Sequence, residues 1–271
     1  LATPEDVEAE LWLREQRRVA SVWKGLEAFV GGAWSRPEAV ELIVLDYSSP
    51  DDLAEWITTA PELQPYREAG ILRFARCPGQ THFRHSHAKN MVHALAYGDV
   101  VCNVDADNFV GPGFTSFLAD TFARRPNAVV APNRLDARLN TGPYKGCMGR
   151  LAMSRANFAL LGGYDESASF RGWSGEDTDL LLRGIRMFLR PVFITEPAFL
   201  RALHHDDVER IRHTDFDDAG AELRRITALN GSEMRPILRY VARRAIAPRV
   251  ANRGRTIGYG PVRFVDQRRS A

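Results

Sequence analysis

The chain has 271 residues, 45% hydrophobic content and a formal net charge of +2, enough to bury one large core or two modest ones, and its length favours one elaborated domain. No apolar run approaches the ~18 residues of a membrane span, and the opening LATPEDVEAE is acidic where an export signal would be basic. With three scattered cysteines, Cys77, Cys102 and Cys147, this excludes a disulfide framework and predicts a soluble cytoplasmic protein with reduced core thiols.

Residues 5 to 30 read as a long helix, with Pro4 near its start, apolar positions at Val7, Leu11, Val19, Val22 and Leu26, and Gly31-Gly32 as its stop. ELIVLD (41–46) is a continuous apolar run ending in Asp-Tyr-Ser-Ser-Pro, the pattern of a central parallel strand that feeds a loop. A helix is expected from about Asp51, a strand over ILRFAR (71–76), a helix over HAKNMVHALAYG (87–98), a strand over VVCNVD (100–105) and a helix over PGFTSFLADTFARR (112–125). AVVAP (128–132) and the stretch from Met148 to Met153 supply further strands. A helix over GEDTDLLLRGIRMFLR (175–190) and strands over VFIT (192–195) and AFLRAL (198–203) follow.

This alternation predicts an α/β domain with an open, mostly parallel sheet flanked by helices, occupying residues 1–230. An Arg-rich helical extension over 231–271 is expected to pack on it. From Arg235 to Ala271 there are ten arginines, no lysine and one acid, Asp266. Arg235, Arg239 and Arg243, four residues apart, describe either a solvated helix face or a surface for an anionic acceptor or a membrane surface. Nucleic acid is not the partner expected.

In open α/β sheets ligands bind beyond the carboxyl ends of the strands. Two of the predicted strands end in acidic loops, Asp46-Tyr47-Ser48-Ser49 and Asp105-Ala106-Asp107-Asn108, so both loops belong on one edge. Two carboxylates at i and i+2 repel each other unless a proton or a cation lies between them. Oxygen ligands suit Mg²⁺, Mn²⁺ or Ca²⁺, and an imidazole tilts the choice towards Mn²⁺. His204 and His205, after a later strand, are candidates for that imidazole. The alternative is a polar turn whose side chains bind backbone amides. A second signal follows in FRGWSGEDTDLLLRG (170–184), where Trp173 and Gly175 precede Glu176 and Asp177 at the start of an apolar helix. Acids there complement the helix dipole, yet an aromatic beside paired carboxylates also suits the face and hydroxyls of a sugar.

VDADN followed by GWSGEDTDL resembles the signatures of inverting GT-A glycosyltransferases, the family 2 and family 7 group that includes bacterial polysaccharide synthases and galactosyltransferases. LDYSSPDD (45–52), SHAKN (86–90), GGYDE (162–166) and HHDD (204–207) match in the same order. The resemblance implies a Rossmann-like GT-A fold and transfer of a sugar, with inversion, from a nucleotide diphosphate donor, expected to be UDP, to a glycan, lipid-linked or small-molecule acceptor. It implies that Asp105 and Asp107 hold Mn²⁺ or Mg²⁺ and the donor diphosphate, with His205 as a further metal ligand. Asp46 and Ser48 would lie near the nucleotide, Asn90 near the donor, Trp173 and Glu176 at the acceptor, and Asp177 would be the base.

One departure stands out: the group usually begins with a strand whose end opens the nucleotide pocket, and RRVASVW (17–23), the nearest candidate, reads better as helix. A first strand upstream of Leu1, in a chain that begins with Leu rather than Met, or a rebuilt pocket is expected. Two rival readings remain at this point. His85, His87, His204, His205 and Asp206 form the residue set of a metal-dependent hydrolase, and the same fold can serve as a non-catalytic sugar- or nucleotide-binding module.

Overall fold

The computed structural model describes residues 40–167, 170, 175–203 and 250–265. The expected helix over 5–30, Trp173, His204, His205, Asp206 and most of the Arg-rich extension lie outside the described residues.

The strands β1 (Leu42–Asp46) and β2 (Leu72–Arg76) run parallel, joined by the helices α1 (Leu53–Thr59) and α2 (Gln64–Glu68). The helix α3 (His85–Ala94) leads to β3 (Val100–Asn103), and the two-residue strand β4 (Asn108–Phe109) precedes α4 (Phe114–Arg124). Next come β5 (Ala128–Pro132), β6 (Leu151–Ser154), α5 (Arg155–Leu160), α6 (Glu176–Arg186), β7 (Arg190–Ile194), β8 (Arg201–Ala202) and β9 (Arg263–Phe264). The sheets have the orders β1-β2-β9, β3-β6-β5-β7 and β4-β8.

The architecture is the expected α/β one, with open sheets flanked by helices, but the sheets are mixed and not mostly parallel. Among the described residues only β1–β2 and β5–β7 are parallel; β2–β9, β3–β6, β5–β6 and β4–β8 are antiparallel. The reason is local. A parallel return needs a crossover, usually a helix, whereas the chain between β5 and β6 makes only short 3-10 turns over Ala137–Asn140, Gly142–Tyr144 and Cys147–Gly149. AFLRAL also departs from expectation. Pro197 starts a 3-10 turn, Pro197–Leu200, in which Ala198 N donates to the Glu196 carboxylate, leaving only Arg201–Ala202 as strand. Among the described residues β1 pairs with β2 alone, so Leu42 to Leu45 are half-buried instead of sealed as a central strand would be.

The core follows strand alternation. Ala128 and Val130 of β5 face Phe114, Leu118 and Phe122 of α4, a stripe at i, i+4 and i+8. Val129 and Ala131 face Phe158 and Leu161 at α5, and Leu180 and Leu181 of α6. Residues 250–265 strap the two larger sheets together. The Ala251 amide donates to Leu161 O at 3.0 Å, Gly258 lies against the α3 backbone at Asn90 and Met91, and β9 pairs with β2. That described part of the C-terminal extension is strand and turn, not helix. No helix among the described residues is long and apolar enough to cross a membrane.

His93 shows how tightly α3 is packed. Its ring stacks on Phe158 at 4.5 Å, and its protonated Nδ1 donates to Lys89 O at 2.6 Å. Burial pushes its pKa down to about 4. The unfolded chain therefore binds a proton between about pH 6.5 and pH 4 that the fold does not, so stability is full above that window and falls as the pH drops through it. In urea titrations at about pH 7 and about pH 4, His93→Phe should lose on the order of 3 kcal/mol less than the wild type on acidification.

Candidate functional site

The loop after β3 is shaped before any ligand arrives. The buried Asn103 side chain donates to Asp105 Oδ1 at 2.9 Å and to Gly149 O at 3.0 Å, and Asn108 N closes the turn on Asp105 O at 2.9 Å. Asn108 Nδ2 donates to Asp107 Oδ1 at 2.7 Å. Beneath the loop Arg150, fully buried, donates through Nη2 to Asn108 Oδ1 at 3.0 Å and Phe109 O at 3.1 Å. Gly149 lies so close that a Cβ there would overlap the Asp105 carboxylate. The β4–β8 pairing brings in the end of the later strand, where Leu203 N donates to Asp107 O at 2.7 Å. His204 and His205 follow Leu203 in sequence, outside the described residues.

The second acidic element is the start of α6. Gly175, at φ 105°, turns the chain into the helix, a conformation that a side chain would resist. Asp179 in the same turn is structural. Its carboxylate accepts from Arg183 Nε at 2.7 Å, and the Arg183 guanidinium donates on to Leu161 O at 2.7 Å and Gly163 O at 2.6 Å. This buried pair fixes the helix so that Glu176 and Asp177 face Asp105.

What joins the two elements is Lys89, in SHAKN. Its Nζ donates to Glu176 Oε1 at 2.8 Å and Asp177 Oδ1 at 2.9 Å, and lies 3.5 Å from Asp105 Oδ1. Burial works against this ammonium, but the fields of Asp105, Asp177 and Glu176 outweigh it and hold its pKa well above the ordinary value. Glu176 and Asp177 separate. Burial pushes both carboxyls up, but Lys89 draws Glu176 down to about 2, whereas burial and the Glu176 charge hold Asp177 well above the usual carboxylate range. Arg134 adds a cation whose field reaches the acidic pair. Burial pulls its guanidinium down, Nη2 donates to Met148 O at 2.8 Å, and Nε is buried without a partner among the described residues.

Asn90, expected near the donor, is fully buried and its amide is engaged elsewhere: it donates to Tyr164 O at 2.8 Å and Glu166 Oε1 at 2.7 Å, and accepts from Tyr164 N at 2.7 Å. It is the peg on which GGYDE hangs. Asp46 and Ser48 clip two loops together. Asp46 is paired with Arg76 Nε at 2.9 Å and accepts from Ser49 N at 2.7 Å. Ser48, at φ 61°, donates to Cys77 O at 2.7 Å and accepts from Gln80 N at 2.9 Å.

The histidine-rich segment does not assemble as a metal cluster among the described residues. His87 uses both ring nitrogens, Nδ1 on Tyr47 Oη at 2.5 Å and Nε2 on Tyr259 O at 2.9 Å. His85 packs edge-on to Phe83 at 4.8 Å, with Nδ1 unpartnered among the described residues. No group of three or more described His, Cys, Asp or Glu side chains encloses a cation position. Asp105 and Asp107 nevertheless suit a hard cation. They are oxygen donors on one turn, Gly149 leaves room for the Asp105 carboxylate, and the chain leading to His205 is hydrogen-bonded to Asp107.

Comparison with known proteins settles the family. The model of glycosyl transferase family 2 matches residues 18–174, more than half of the chain. The chain belongs to this family. It is a glycosyltransferase with the GT-A fold. Among solved structures, TarS of S. aureus (residues 1–349) in complex with UDP-GlcNAc is similar at 13% identity and TM-score 0.54, over 84% of this chain and 68% of that one. The mannosyltransferase PcManGT of Pyrobaculum calidifontis, in complex with GDP-Man and Mn²⁺, is similar at 17% identity and TM-score 0.51, over 84% of this chain and 65% of that one. No curated protein matches the chain in sequence.

The contact between Gly149 and Asp105 in this family 2 enzyme is open to a direct test. In Gly149→Ala the atoms nearest the added methyl group are those of the Asp105 carboxylate, the end of a side chain, so the fold should persist by circular dichroism while that carboxylate moves. If Asp105 takes part in holding a metal and the donor, calorimetry should then show nucleoside diphosphate binding in the presence of Mn²⁺ weakened by about tenfold or more, the size typical of disturbing the support of a metal ligand.

Proposed function

We infer that this family 2 glycosyltransferase moves a sugar from a nucleotide diphosphate, with UDP as the carrier, to an acceptor hydroxyl in one inverting displacement. The observation that carries the reading is the contact of Lys89 with Asp105 on one side and Glu176 and Asp177 on the other. The donor-side acid and the acceptor-side acids thus lie around a single point. Asp105, Asp107 and His205 are assigned to a divalent ion, Mn²⁺ or Mg²⁺. That ion, when bound, supplies Lewis-acid neutralisation of the leaving diphosphate.

The chain's own residues do the rest. Asp46 and Ser48 hold the loop against which the nucleotide lies. Asn90 acts from below by fixing the GGYDE turn. Trp173 offers an apolar face to the acceptor sugar and Glu176 a fixed negative charge for its hydroxyls. Asp177, the more basic of the two neighbours, takes the proton of the attacking hydroxyl as the new bond forms. The acceptor is a glycan end, a lipid-linked sugar or a small molecule, and the arginines after Arg235 support an anionic acceptor or a lipid surface beside it.

The first test is release of nucleoside diphosphate from a panel of nucleotide sugars with Mn²⁺, with phosphoester hydrolysis as the control. Transfer that retains the anomeric configuration, or phosphoester hydrolysis in its place, would overturn the reading. The second test separates the roles of the acidic pair. Asp177→Asn should lower kcat by about 10² to 10⁴-fold, the usual contribution of a general base, with donor binding intact. Glu176→Gln should chiefly raise the acceptor KM.

A further inference from the structure

We propose that Lys89 is a resident cation that stands in for the divalent ion in the donor-free enzyme, so that metal binds tightly only together with the donor's diphosphate. The inference rests on the reading of Asp105 and Asp107 as metal ligands. Its basis is geometric. Three carboxylates from two separate parts of the chain, Asp105 after β3 and the neighbours Glu176 and Asp177 at the start of α6, converge on one Nζ at 3.5, 2.8 and 2.9 Å. Lys89 is 9% exposed, and its ammonium lies over the Tyr164 ring at 5.4 Å. Among the described residues the other charged or titratable groups around it are His85 and His93, on its own helix, Tyr164, after α5, and Arg134, after β5.

A carboxylate cluster of this kind does not persist without a counter-charge, and here the chain supplies its own. A divalent ion arriving alone at Asp105 would face an ammonium a few ångströms away in partly desolvated surroundings, where repulsion is strong. A diphosphate arriving with the ion changes the balance, because its oxygens accept from the same ammonium that opposes the metal. Lysine suits such an exchange. Its charge sits on a flexible four-carbon stem and can turn from carboxylate to phosphate, whereas a guanidinium fork is tied to a planar geometry. The backbone beneath it is fixed, with Asn90 pegged to Tyr164 and Met91 against Gly258, so only the side chain moves. By linkage, metal and nucleotide each raise the other's affinity, and Lys89 sets the size of that coupling.

The test uses the whole chain and reads binding, not turnover: calorimetry and thermal melting with Mn²⁺ alone, UDP alone and both. The wild type should bind Mn²⁺ weakly alone and strongly with UDP. Lys89→Met should bind Mn²⁺ alone about tenfold more tightly or better. It should also show a larger melting shift with Mn²⁺ than the wild type, and weaker coupling between Mn²⁺ and UDP. A merely structural role would lower every affinity together. Lys89→Arg, which keeps the charge, should stay close to the wild type for Mn²⁺ alone. If Lys89→Met does not fold, the pair Lys89→Met with Asp177→Asn, which removes one carboxylate charge as well, is compared with Asp177→Asn alone and should show the same gain. Unchanged or weaker Mn²⁺ binding without Lys89, while the wild type still binds Mn²⁺ with UDP, overturns this inference and leaves the metal assignment standing. Failure of the wild type to bind Mn²⁺ even with UDP removes the metal assignment and this inference with it.

Discussion

Three carboxylates aimed at one point are the constraint around which this molecule is arranged. They come from two parts of the chain, Asp105 after β3 and the neighbours Glu176 and Asp177 at the start of α6, and they would repel one another if Lys89 were absent. At 3 to 4 Å in surroundings of intermediate polarity, each attraction to the ammonium is on the order of 4 kcal/mol before desolvation is subtracted. Removing one member of such a group is costly, because the remaining charges stay buried without a partner. The rigidity of α3 follows from this. The helix has to hold a buried ammonium in place, and it does so through Asn90, Met91 and His93, each bonded or packed on a separate element.

The same helix explains the C-terminal strap. Asn252 donates to Gly162 O at 2.8 Å and Tyr164 O at 2.7 Å, and accepts from Glu166 N at 3.1 Å; the Gly258 amide donates to Glu166 Oε1 at 2.7 Å. Glu166 Oε1 also accepts from Asn90. GGYDE is therefore held from both sides, by α3 and by a segment some ninety residues further along the chain. Gly258, at φ 59°, is where the strap touches the helix backbone, and a Cβ there would collide with Met91 N and Cα. The strap then pairs β9 with β2, so the GGYDE turn and the β1-β2-β9 sheet share one tether.

Asp105, Asp107, Glu176 and Asp177 were legible because their positions follow from local rules: acids where an apolar strand ends, acids where an apolar helix begins. Lys89 was not, since its partners lie 16 to 88 residues away and no local pattern pairs them. One clue was present. Lys89, Asn90 and His93 crowd the middle of a helix that also buries Ala88 and Met91, and polar residues among core positions call for partners elsewhere. Strand direction was misread for a related reason. Hydrophobic runs such as AVVAP mark a strand sealed on both faces, and β5 is buried at every residue, but burial does not distinguish a parallel neighbour from an antiparallel one. The strap was hidden by composition: the arginines dominate the C-terminal sequence, whereas the residues that hold it down are Ala251, Asn252 and Gly258.

The electrostatics of the acidic pair supply a reason for two adjacent acids where one base would do. Glu176 and Asp177 share the same ammonium, yet their environments push them apart, with Glu176 drawn down to about 2 and Asp177 raised. Neighbouring carboxyls with divergent pKa values are suited to different tasks. Glu176 stays ionised across the physiological range, and its fixed charge makes its neighbour more basic. A lone aspartate beside Lys89 would be held ionised and would be a poor proton acceptor. A lone aspartate buried without Lys89 would keep its proton and could not act as a base. With Lys89 lowering it and burial and the Glu176 charge raising it, Asp177 is more basic than an ordinary carboxylate, which suits the general-base role proposed for it.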